Sequence, residues 1–216
     1  MRLPHVVLAM LAVALATAAW VMRPGQEPAA PASARAGACP LPARLATRVG
    51  QPPLQGSAPS SLQWSHADAQ VQALASFSLQ ARVLGRRDYR NDRESRYAPL
   101  DLALGWGPMR QDSVLQQLAI SQSGRWYHYR WQGDPPLAPA QIRDNSANMH
   151  LIPADAGVAA ALARVRPDDQ VALHGWLVQV QASDGWRWRS SLRRDDSGAG
   201  ACEVVYVCAV DVAATR

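Results

Sequence analysis

The chain beyond residue 61 predicts an α+β domain built mainly on antiparallel sheet, and three observations carry this prediction. Apolar and polar residues alternate over 76–85, which is the pattern of a half-buried strand. Two short segments further along have the apolar spacing of helices. Three strand patterns in succession then end the chain as a C-terminal meander. A small, partly open β-barrel is one arrangement that fits these elements.

Start and stop signals place the two short helices. Asp112 is expected to cap the first helix, which carries Val114 on its apolar face. Asp155 is expected to cap the second helix, which carries Val158 on its apolar face and is ended by Pro167. Other patterns predict a strand at 125–131, one or two helical turns at 139–144 and an extended piece at 149–152.

The meander consists of predicted strands at 170–182, 186–194 and 202–210. A three-residue loop with Gly185 in the left-handed region sets Val180 opposite Trp188, whereas a two-residue turn would mix the two faces. Arg187 and Arg189 then face water. The buried face is expected to hold Trp176, Val178, Val180, Trp188 and Leu192. The third strand is apolar on both faces, so we expect it to be central or part of a closed barrel.

The first 22 residues carry a targeting signal. Residues 6–22 are apolar apart from Thr17, and they lie between Arg2 and Arg23. A signal peptide cleaved after Ala18 and an uncleaved single-pass anchor both fit, because this run is just long enough to cross a hydrocarbon core of roughly 30 Å. We therefore expect a signal or anchor at 1–22, a Pro/Ala-rich tether at 23–61 and one globular domain at 62–216. The domain is expected in the periplasm, either held to the inner membrane or released.

The charge of the chain does not indicate a polyanion-binding protein. All 22 basic residues are arginine, and 17 acidic residues leave a net charge of +5. The two signs interleave along the chain, which is typical of a mixed, solvated surface. An apolar fraction of 48% excludes wholesale disorder and collagen-like structure.

The three cysteines leave two arrangements open. Cys202 and Cys208 lie on one predicted strand, where six residues span about 20 Å, far more than the roughly 5–6 Å between the Cα atoms of a disulfide. These two residues are therefore not expected to pair with each other. Either Cys39 bonds one of them and fixes the tether to the domain, or the thiols are free and buried.

One segment has the residue types of a small active site. His150 is a candidate general base, Asn148 a candidate carbonyl-binding donor and Ser146 a candidate nucleophile. Cys202 is a second candidate nucleophile, and Asp101 or Asp195 is expected to orient the histidine. The sequence has no Gly-x-Ser-x-Gly elbow, and Ser or Asn before a short strand more often satisfies a turn, so catalysis is the disfavoured interpretation.

Metal and nucleic-acid sites are also disfavoured. The spacing of His128, His150 and His174 matches no ligand signature, so we expect neither a metal nor another cofactor. Trp186 and Trp188 alternate with arginines, which suits single-stranded nucleic acid, but the expected register turns both indoles inward. The arginine-rich stretch 86–96 is read as a solvated face with local ion pairs or, alternatively, as a contact with anionic lipid.

Segments 101–109, 146–153 and 190–203 resemble a family of uncharacterised bacterial envelope proteins, many of them described as membrane proteins. The resemblance implies an N-terminal apolar segment and a tether before the domain, and it implies no activity. From the residues, we expect a non-catalytic binding or assembly module that reaches a protein partner in the envelope and contacts the membrane through its N-terminal segment. The alternative is a small envelope hydrolase that uses Cys202 or Ser146 with His150.

Overall fold

The structure is a computed structural model, and it describes residues 32–35, 39–40, 42, 45–193 and 202–213. The expected signal or anchor at 1–22 lies outside these residues, as does Asp195. Within the described residues, no helix combines the length and the apolar character needed to cross a membrane.

Strands dominate the described part of the chain. They are, in order, β1 (Ala32–Arg35), β2 (Leu54–Ser57), β3 (Gln63–His66), β4 (Ala69–Asp88), β5 (Leu100–Gly105), β6 (Ala119–Ser123), β7 (Trp126–Arg130), β8 (Ser146–Pro153), β9 (Gln170–Ala182), β10 (Arg187–Arg189) and β11 (Glu203–Ala213). The α-helices are α1 (Asp112–Leu115), α2 (Pro139–Asp144) and α3 (Ala156–Arg164). Short 3-10 helices lie at Glu94–Arg96 and Gly107–Arg110.

Five of the strands pair in a closed circuit. β4 pairs with β5, β5 with β8 and β8 with β11, and β9 joins β11 back to β4. Only the pairing of β8 with β11 is parallel. When the five barrel strands are numbered in chain order, β4 is the first, β5 the second, β8 the third, β9 the fourth and β11 the fifth. Their order along the circuit is then 1-2-3-5-4, and α3 lies between the third and the fourth strand in the chain. This is the strand order of the OB-fold, a five-stranded Greek-key barrel. The predicted α+β class with a mainly antiparallel barrel is confirmed.

Alternate side chains of the five strands fill the barrel interior, because successive residues of a strand point to opposite faces. Phe77, Leu102, Leu151 and Leu177 are fully buried there. α3 packs its apolar face against the same core through Leu162. The outer faces of the strands are consequently left to a second core and to the polar residues described below.

The second core lies on the outer face of β8 and β11. A β-bulge between Ala73 and Ala75 reverses the two faces of β4, so the first half of this strand turns its apolar side chains toward the second core. Val178 and Val180 of β9 pack there with Tyr206 of β11. The bulge thus lets one long pair of strands contribute to both cores.

The two predicted helix caps have different outcomes. The Asp155 carboxylate accepts a 2.8 Å hydrogen bond from the Val158 N–H, and α3 ends at Arg164, before Pro167. This cap is confirmed. Asp112 is itself the first residue of α1 and pairs with the Arg82 guanidinium instead, so its predicted role as a cap is wrong. The predicted helical turns at Pro139–Asp144 are confirmed.

The register predicted for the C-terminal hairpin is confirmed. Val180 lies opposite Trp188, and Gly185 has a φ of 89° in a three-residue loop. Trp188 packs partly buried against the second core, whereas Arg187 and Arg189 are exposed. The hydrophobic pattern alone was therefore sufficient to fix which face of β10 turns inward.

The rest of the meander departs from its prediction at one residue. β10 ends at Arg189, so the chain leaves the strand before Leu192, whose side chain is 41% exposed. The prediction that Leu192 shares the buried face is wrong. β11 pairs with β8 on one edge and with β9 on the other, which confirms that the strand with two apolar faces is central.

Part of the expected tether belongs to the domain. β2 pairs with β4, and β1 pairs with β11. Cys39 forms a disulfide with Cys208, with 5.6 Å between their Cα atoms, and the Trp176 indole donates a 2.6 Å hydrogen bond to the Pro40 carbonyl. Composition predicts a free tether because this stretch supplies few apolar side chains. A covalent bond and backbone carbonyls hold it instead, so the boundary of the domain lies before residue 61.

β6 and β7 form a hairpin that is inserted between β5 and β8. One face of this hairpin packs on a third, small core around Met109 and Ile142. Its two-residue turn consists of Gly124 and Arg125, with φ values of 56° and 69°. Positive φ at both positions is what a type I′ turn requires, and glycine or asparagine is the usual residue at such positions. The strand predicted at 125–131 is confirmed as β7.

Candidate functional site

Buried polar side chains meet on the outer face of β5 and β8. Asp101 and His150 are direct partners in the register of these two strands, and Asn148 lies two residues before His150 on the same face. Arg125 and Asp92 reach them from the β6–β7 turn and from the loop 89–99. We call these five residues the polar cluster. The structure thus brings together three of the residues that the sequence singled out.

Asp101 lies at the centre of the polar cluster, and its side chain is fully buried. Arg125 Nη1 donates to Asp101 Oδ1 at 2.7 Å, and Asn148 Nδ2 donates to Oδ2 at 3.1 Å. His150 Nδ1 lies 2.9 Å from Oδ1, but the contact does not have the angles of a hydrogen bond. Arg125 therefore balances the buried carboxylate, and His150 lies beside it.

Arg125 joins the hairpin to the barrel. Its guanidinium donates to both carboxylate oxygens of Asp92, at 2.7 and 2.8 Å, and to the Ala98 carbonyl at 2.9 Å, and it lies 3.9 Å from the centre of the Tyr89 ring. Burial lowers the pKa of Arg125, but the hydrogen bonds to Asp92 and the charge of Asp101 outweigh this effect and raise it. The hydrogen bond from Arg125 likewise lowers the pKa of Asp92. These contacts offset the roughly 1–2 kcal/mol that a left-handed conformation costs a residue with a side chain.

Both the Nδ2 and the Oδ1 of the Asn148 side chain are hydrogen-bonded within the protein. Its Nδ2 donates to Asp101 and to the Arg125 carbonyl at 3.0 Å, while its Oδ1 accepts a 2.7 Å hydrogen bond from Gln122 Nε2. An amide engaged on both sides offers a substrate carbonyl no free donor. The predicted carbonyl-binding role of Asn148 therefore needs these bonds to break first.

His150 lies under the C-terminal hairpin. Only 3% of its surface is exposed, and its ring centre is 5.0 Å from that of Trp188. Trp188 in turn lies 5.9 Å from Trp186. The indoles cover the histidine rather than leaving it in an open cleft.

Ser146 and Cys202 occupy different positions relative to His150. Ser146 lies four residues away on the same strand, about 13 Å along it, and its hydroxyl donates a 2.6 Å hydrogen bond to the Ile142 carbonyl. Cys202 lies two residues before Val204, which is the register partner of His150, and its carbonyl accepts the Ser191 N–H at 3.0 Å. The structure thus separates Ser146 from the histidine and places Cys202 directly before the neighbouring strand β11.

The three histidines weighed as metal ligands lie on different elements. His128 contacts Ser123 on the inserted hairpin, and His174 contacts Ser78 at 2.8 Å on the barrel. Within the part of the chain that the structure describes, no three His, Cys, Asp or Glu residues are grouped so that they could hold a metal ion.

Arg125, Asp92 and Gln122 are site residues that the sequence pattern does not predict. Ser123-Gly124 before an alternating strand is a turn signal, so the sequence could have placed Arg125 at the tip of a hairpin. Nothing in the pattern shows which distant carboxylates that tip meets, because both contacts cross more than twenty residues of chain.

Two loops meet above the polar cluster. Arg93 of the loop 89–99 forms an ion pair with Asp184 of the loop that begins at residue 183, and its guanidinium lies 5.0 Å from the centre of the Trp186 ring. The Tyr97 ring stacks on Trp186 with 6.0 Å between centres. Exposed arginines lie on the loop 89–99 and on β10. We call four of them the loop surface: Arg90, Arg93, Arg187 and Arg189.

An open groove lies at the other end of the inserted hairpin, where β6 and β7 begin and end. It has a volume of about 590 Å³ and is lined by residues 116–119 and 130–132. Among the described residues, no acidic residue lines it. The groove is separate from the polar cluster, and no pattern in the sequence indicates it.

Comparisons with protein-family models, with curated proteins and with solved structures find no match for this chain.

Proposed function

We propose that this chain is a non-catalytic binding or assembly module, exposed in the bacterial envelope and tethered to the inner membrane, that engages a protein partner through the loop surface. In barrels of this strand order, ligands bind at the second and third strands and at the loops that follow the first and fourth. Here those loops are 89–99 and the loop after β9. Fold alone does not define a function, so the proposal rests on the site itself.

The observation that carries the proposal is the closure of the polar cluster. Asp101 is bonded to Arg125 and Asn148, Asn148 is bonded to Gln122, and His150 is buried beside Trp188. The arginines of the loop surface, by contrast, are exposed, two on the loop 89–99 and two on β10, and that loop contacts the loop before β10. A rigid, exposed, basic surface above a closed cluster suits recognition of an acidic partner better than catalysis.

Two features support the location. Residues 6–22 form an apolar run of the kind that directs export or anchors a chain. The Cys39–Cys208 disulfide supports an oxidising compartment, because such bonds persist in the periplasm and are rare in the cytosol. Fractionation of the tagged full-length protein, with protease access measured in spheroplasts, tests this proposal. We expect membrane-bound or periplasmic protein, and a soluble cytoplasmic pool of full-length chain would contradict it.

A single contact favours the alternative, a hydrolase that uses Cys202 or Ser146 with His150. Asp101 lies 2.9 Å from His150, as the orienting residue of such an enzyme would. Ser146 is too far along its strand to pass a proton to that ring. Cys202 is tested by its alkylation rate with iodoacetamide in the wild type and in His150→Gln. We expect equal rates, whereas a fall of about tenfold would favour the hydrolase.

Site-specific cross-linking tests the loop surface. A photo-reactive residue is placed at Arg187 in the tagged full-length protein and activated in intact cells. Arg164, an exposed arginine at the end of α3, is the matched control position. We expect a discrete protein adduct from position 187 that is absent from position 164. The same adducts from both positions, or none from position 187, would overturn the proposal.

A further inference from the structure

The groove at the base of the inserted hairpin has the size and the polar groups of a ligand site. Its volume of about 590 Å³ lies within the roughly 300–1,000 Å³ that is usual for such sites. Ala119 and Arg130 are cross-strand partners in the hairpin, so the groove opens where the strands diverge, with the end of α1 on one side and residues 131–132 on the other.

Several groups that line the groove are without partners in the described structure. The side-chain amides of Gln116 and Gln132 and the guanidinium of Arg130 make no hydrogen bond or ion pair with any described residue. Gln117 donates to the Ser113 carbonyl at 2.6 Å, which leaves its amide oxygen as an acceptor. Each free amide offers two donors and an acceptor, so the groove suits a ligand that is rich in both.

Trp131 supplies the apolar part of the groove. Its indole packs partly buried against the third core and stacks near Tyr129, with 6.2 Å between ring centres and 18° between ring planes. This packing holds the indole in a fixed orientation at the edge of the groove. A rigid aromatic plane beside planar amides matches a sugar ring, which has an apolar C–H face and an edge of hydroxyl groups.

The charge of the groove narrows the class of ligand. Arg130 is the one charged residue among the described residues of the lining, and its guanidinium fork fits a carboxylate. A nucleic acid needs several phosphate contacts for useful affinity, which one arginine does not supply. An extended peptide is usually bound along a free strand edge, whereas this groove lies at the strand ends.

We propose that this groove binds a short stretch of an acidic oligosaccharide. Trp131 stacks on one sugar ring, Gln116 and Gln132 bond its hydroxyl or acetamido groups, and Arg130 pairs with a carboxylate. The site is distinct from the loop surface, so it does not depend on the function proposed above. A module that binds a protein at one end of the hairpin and a glycan at the other would join two components of the envelope.

NMR titration of the full-length protein tests this site. The protein is kept in a detergent without a sugar headgroup, and the probes are a hyaluronan tetrasaccharide, which is acidic and N-acetylated, and neutral tri-N-acetylchitotriose. We expect both sugars to shift the indole N–H resonance of Trp131, with the acidic one bound about tenfold more tightly. No shift at about 10 mM of either sugar would overturn the proposal.

Variants of the groove residues separate the contribution of the arginine to sugar binding from that of the glutamines. Arg130→Gln is expected to weaken only the acidic sugar, by about tenfold, and Gln116→Ala with Gln132→Ala is expected to weaken both sugars. These exposed side chains make no hydrogen bond or ion pair with a described residue, so we expect the variants to keep the fold even where Trp131→Ala loses it. The matched controls are Arg164→Gln and Gln181→Ala, on exposed residues away from the groove. The proposal would be overturned if the control variants lost as much sugar affinity as the groove variants, or if the groove variants bound as the wild type does. Equal affinity of the wild type for the two sugars would also overturn it.

Discussion

The turns of the two hairpins differ in how well their residues suit the backbone conformation that the turn requires. β9 and β10 are joined by a loop whose left-handed residue is Gly185, which adopts that conformation without strain. β6 and β7 are joined by a turn whose second residue is Arg125, at a φ of 69°. The first hairpin is what its pattern predicts, whereas the second has an unfavourable residue at a position that glycine or asparagine would fill.

The difference between the two hairpins lies in what their turns contact. Gly185 has nothing within 4 Å of where a Cβ would be, and the ion pair that its neighbour Asp184 forms with Arg93 does not involve the left-handed residue. The Arg125 side chain reaches Asp92 and Asp101, and those contacts hold a conformation that the turn alone disfavours. An unfavourable turn residue that is stabilised by distant contacts marks a place where the fold holds one element, here the inserted hairpin, against another.

The largest expected effect is at Asp101. Asp101→Ala removes one of the two carboxylates that pair with Arg125 and also an acceptor of the Asn148 amide, so the free energy of unfolding should fall by about 3–5 kcal/mol in urea denaturation. Asp144→Ala is the matched control, because Asp144 pairs with Arg143 on the surface, with about half of each side chain exposed. That change should cost less than about 1 kcal/mol. Equal effects of the two substitutions would mean that the polar cluster does not stabilise the domain.

The C-terminal hairpin gives the next largest effect. Trp188→Ala should lower the free energy of unfolding by about 3 kcal/mol, at the lower end for a tryptophan because the indole is only partly buried. Arg189→Ala, one residue along on the exposed face, should change it by less than about 0.5 kcal/mol. A damaging Arg189→Ala with a tolerated Trp188→Ala would show that β10 is turned over in solution.

Gly185 in the same hairpin tests the preference for glycine at a positive φ without any contribution from side-chain contacts. Gly185→Ala places a side chain at a φ of 89° in open space, so its cost is one of backbone strain alone. We expect a loss of about 1 kcal/mol, measured as a lower melting temperature. Ser183→Ala, at an exposed residue of the same loop whose φ is not positive, is the control and should change the stability by less than about 0.5 kcal/mol. A neutral Gly185→Ala would remove the contrast between the two turns.

Acid sensitivity gives the smallest effect. The hydrogen bond from Arg125 lowers the pKa of Asp92 from its usual value, so this carboxylate stabilises the fold above the unfolded-state pKa near 3.8. That stabilisation is lost as the pH falls through the lower folded-state pKa. Between roughly pH 5 and pH 2, Asp92→Asn should therefore lose less stability than the wild type. An identical loss in both proteins would show that the Asp92–Arg125 contact does not form in solution.

The sequence predicts features that depend on local pattern. Period-two alternation locates β9 and the register of Val180 with Trp188, and the Asp155 cap follows from three neighbouring positions. The sequence predicts only in part that β11 closes the barrel by pairing on both edges, because a strand with two apolar faces fits either the centre of a sheet or a barrel. The candidate histidine, asparagine and Asp101 were singled out by residue type, and the fold does bring them together.

The rest depends on contacts that no local pattern encodes. The Cys39–Cys208 bond joins residues 169 positions apart, and its partner choice is not determined by spacing. The insertion of Arg125 between Asp92 and Asp101, and the groove between α1 and the hairpin base, arise only when β6 and β7 dock on the barrel. The bond between Asn148 and Gln122 likewise appears only in the folded chain.

A double-mutant cycle tests most directly whether Arg125 holds the inserted hairpin to the barrel. The free energy of unfolding is measured for the wild type, Arg125→Ala, Asp101→Ala and the double variant. If the contact exists as described, the double variant should be more stable than the sum of the single losses allows, with a coupling energy of about 2–3 kcal/mol. A coupling below about 0.5 kcal/mol, with additive single effects, would show that the two residues act independently and that the hairpin is held by other contacts.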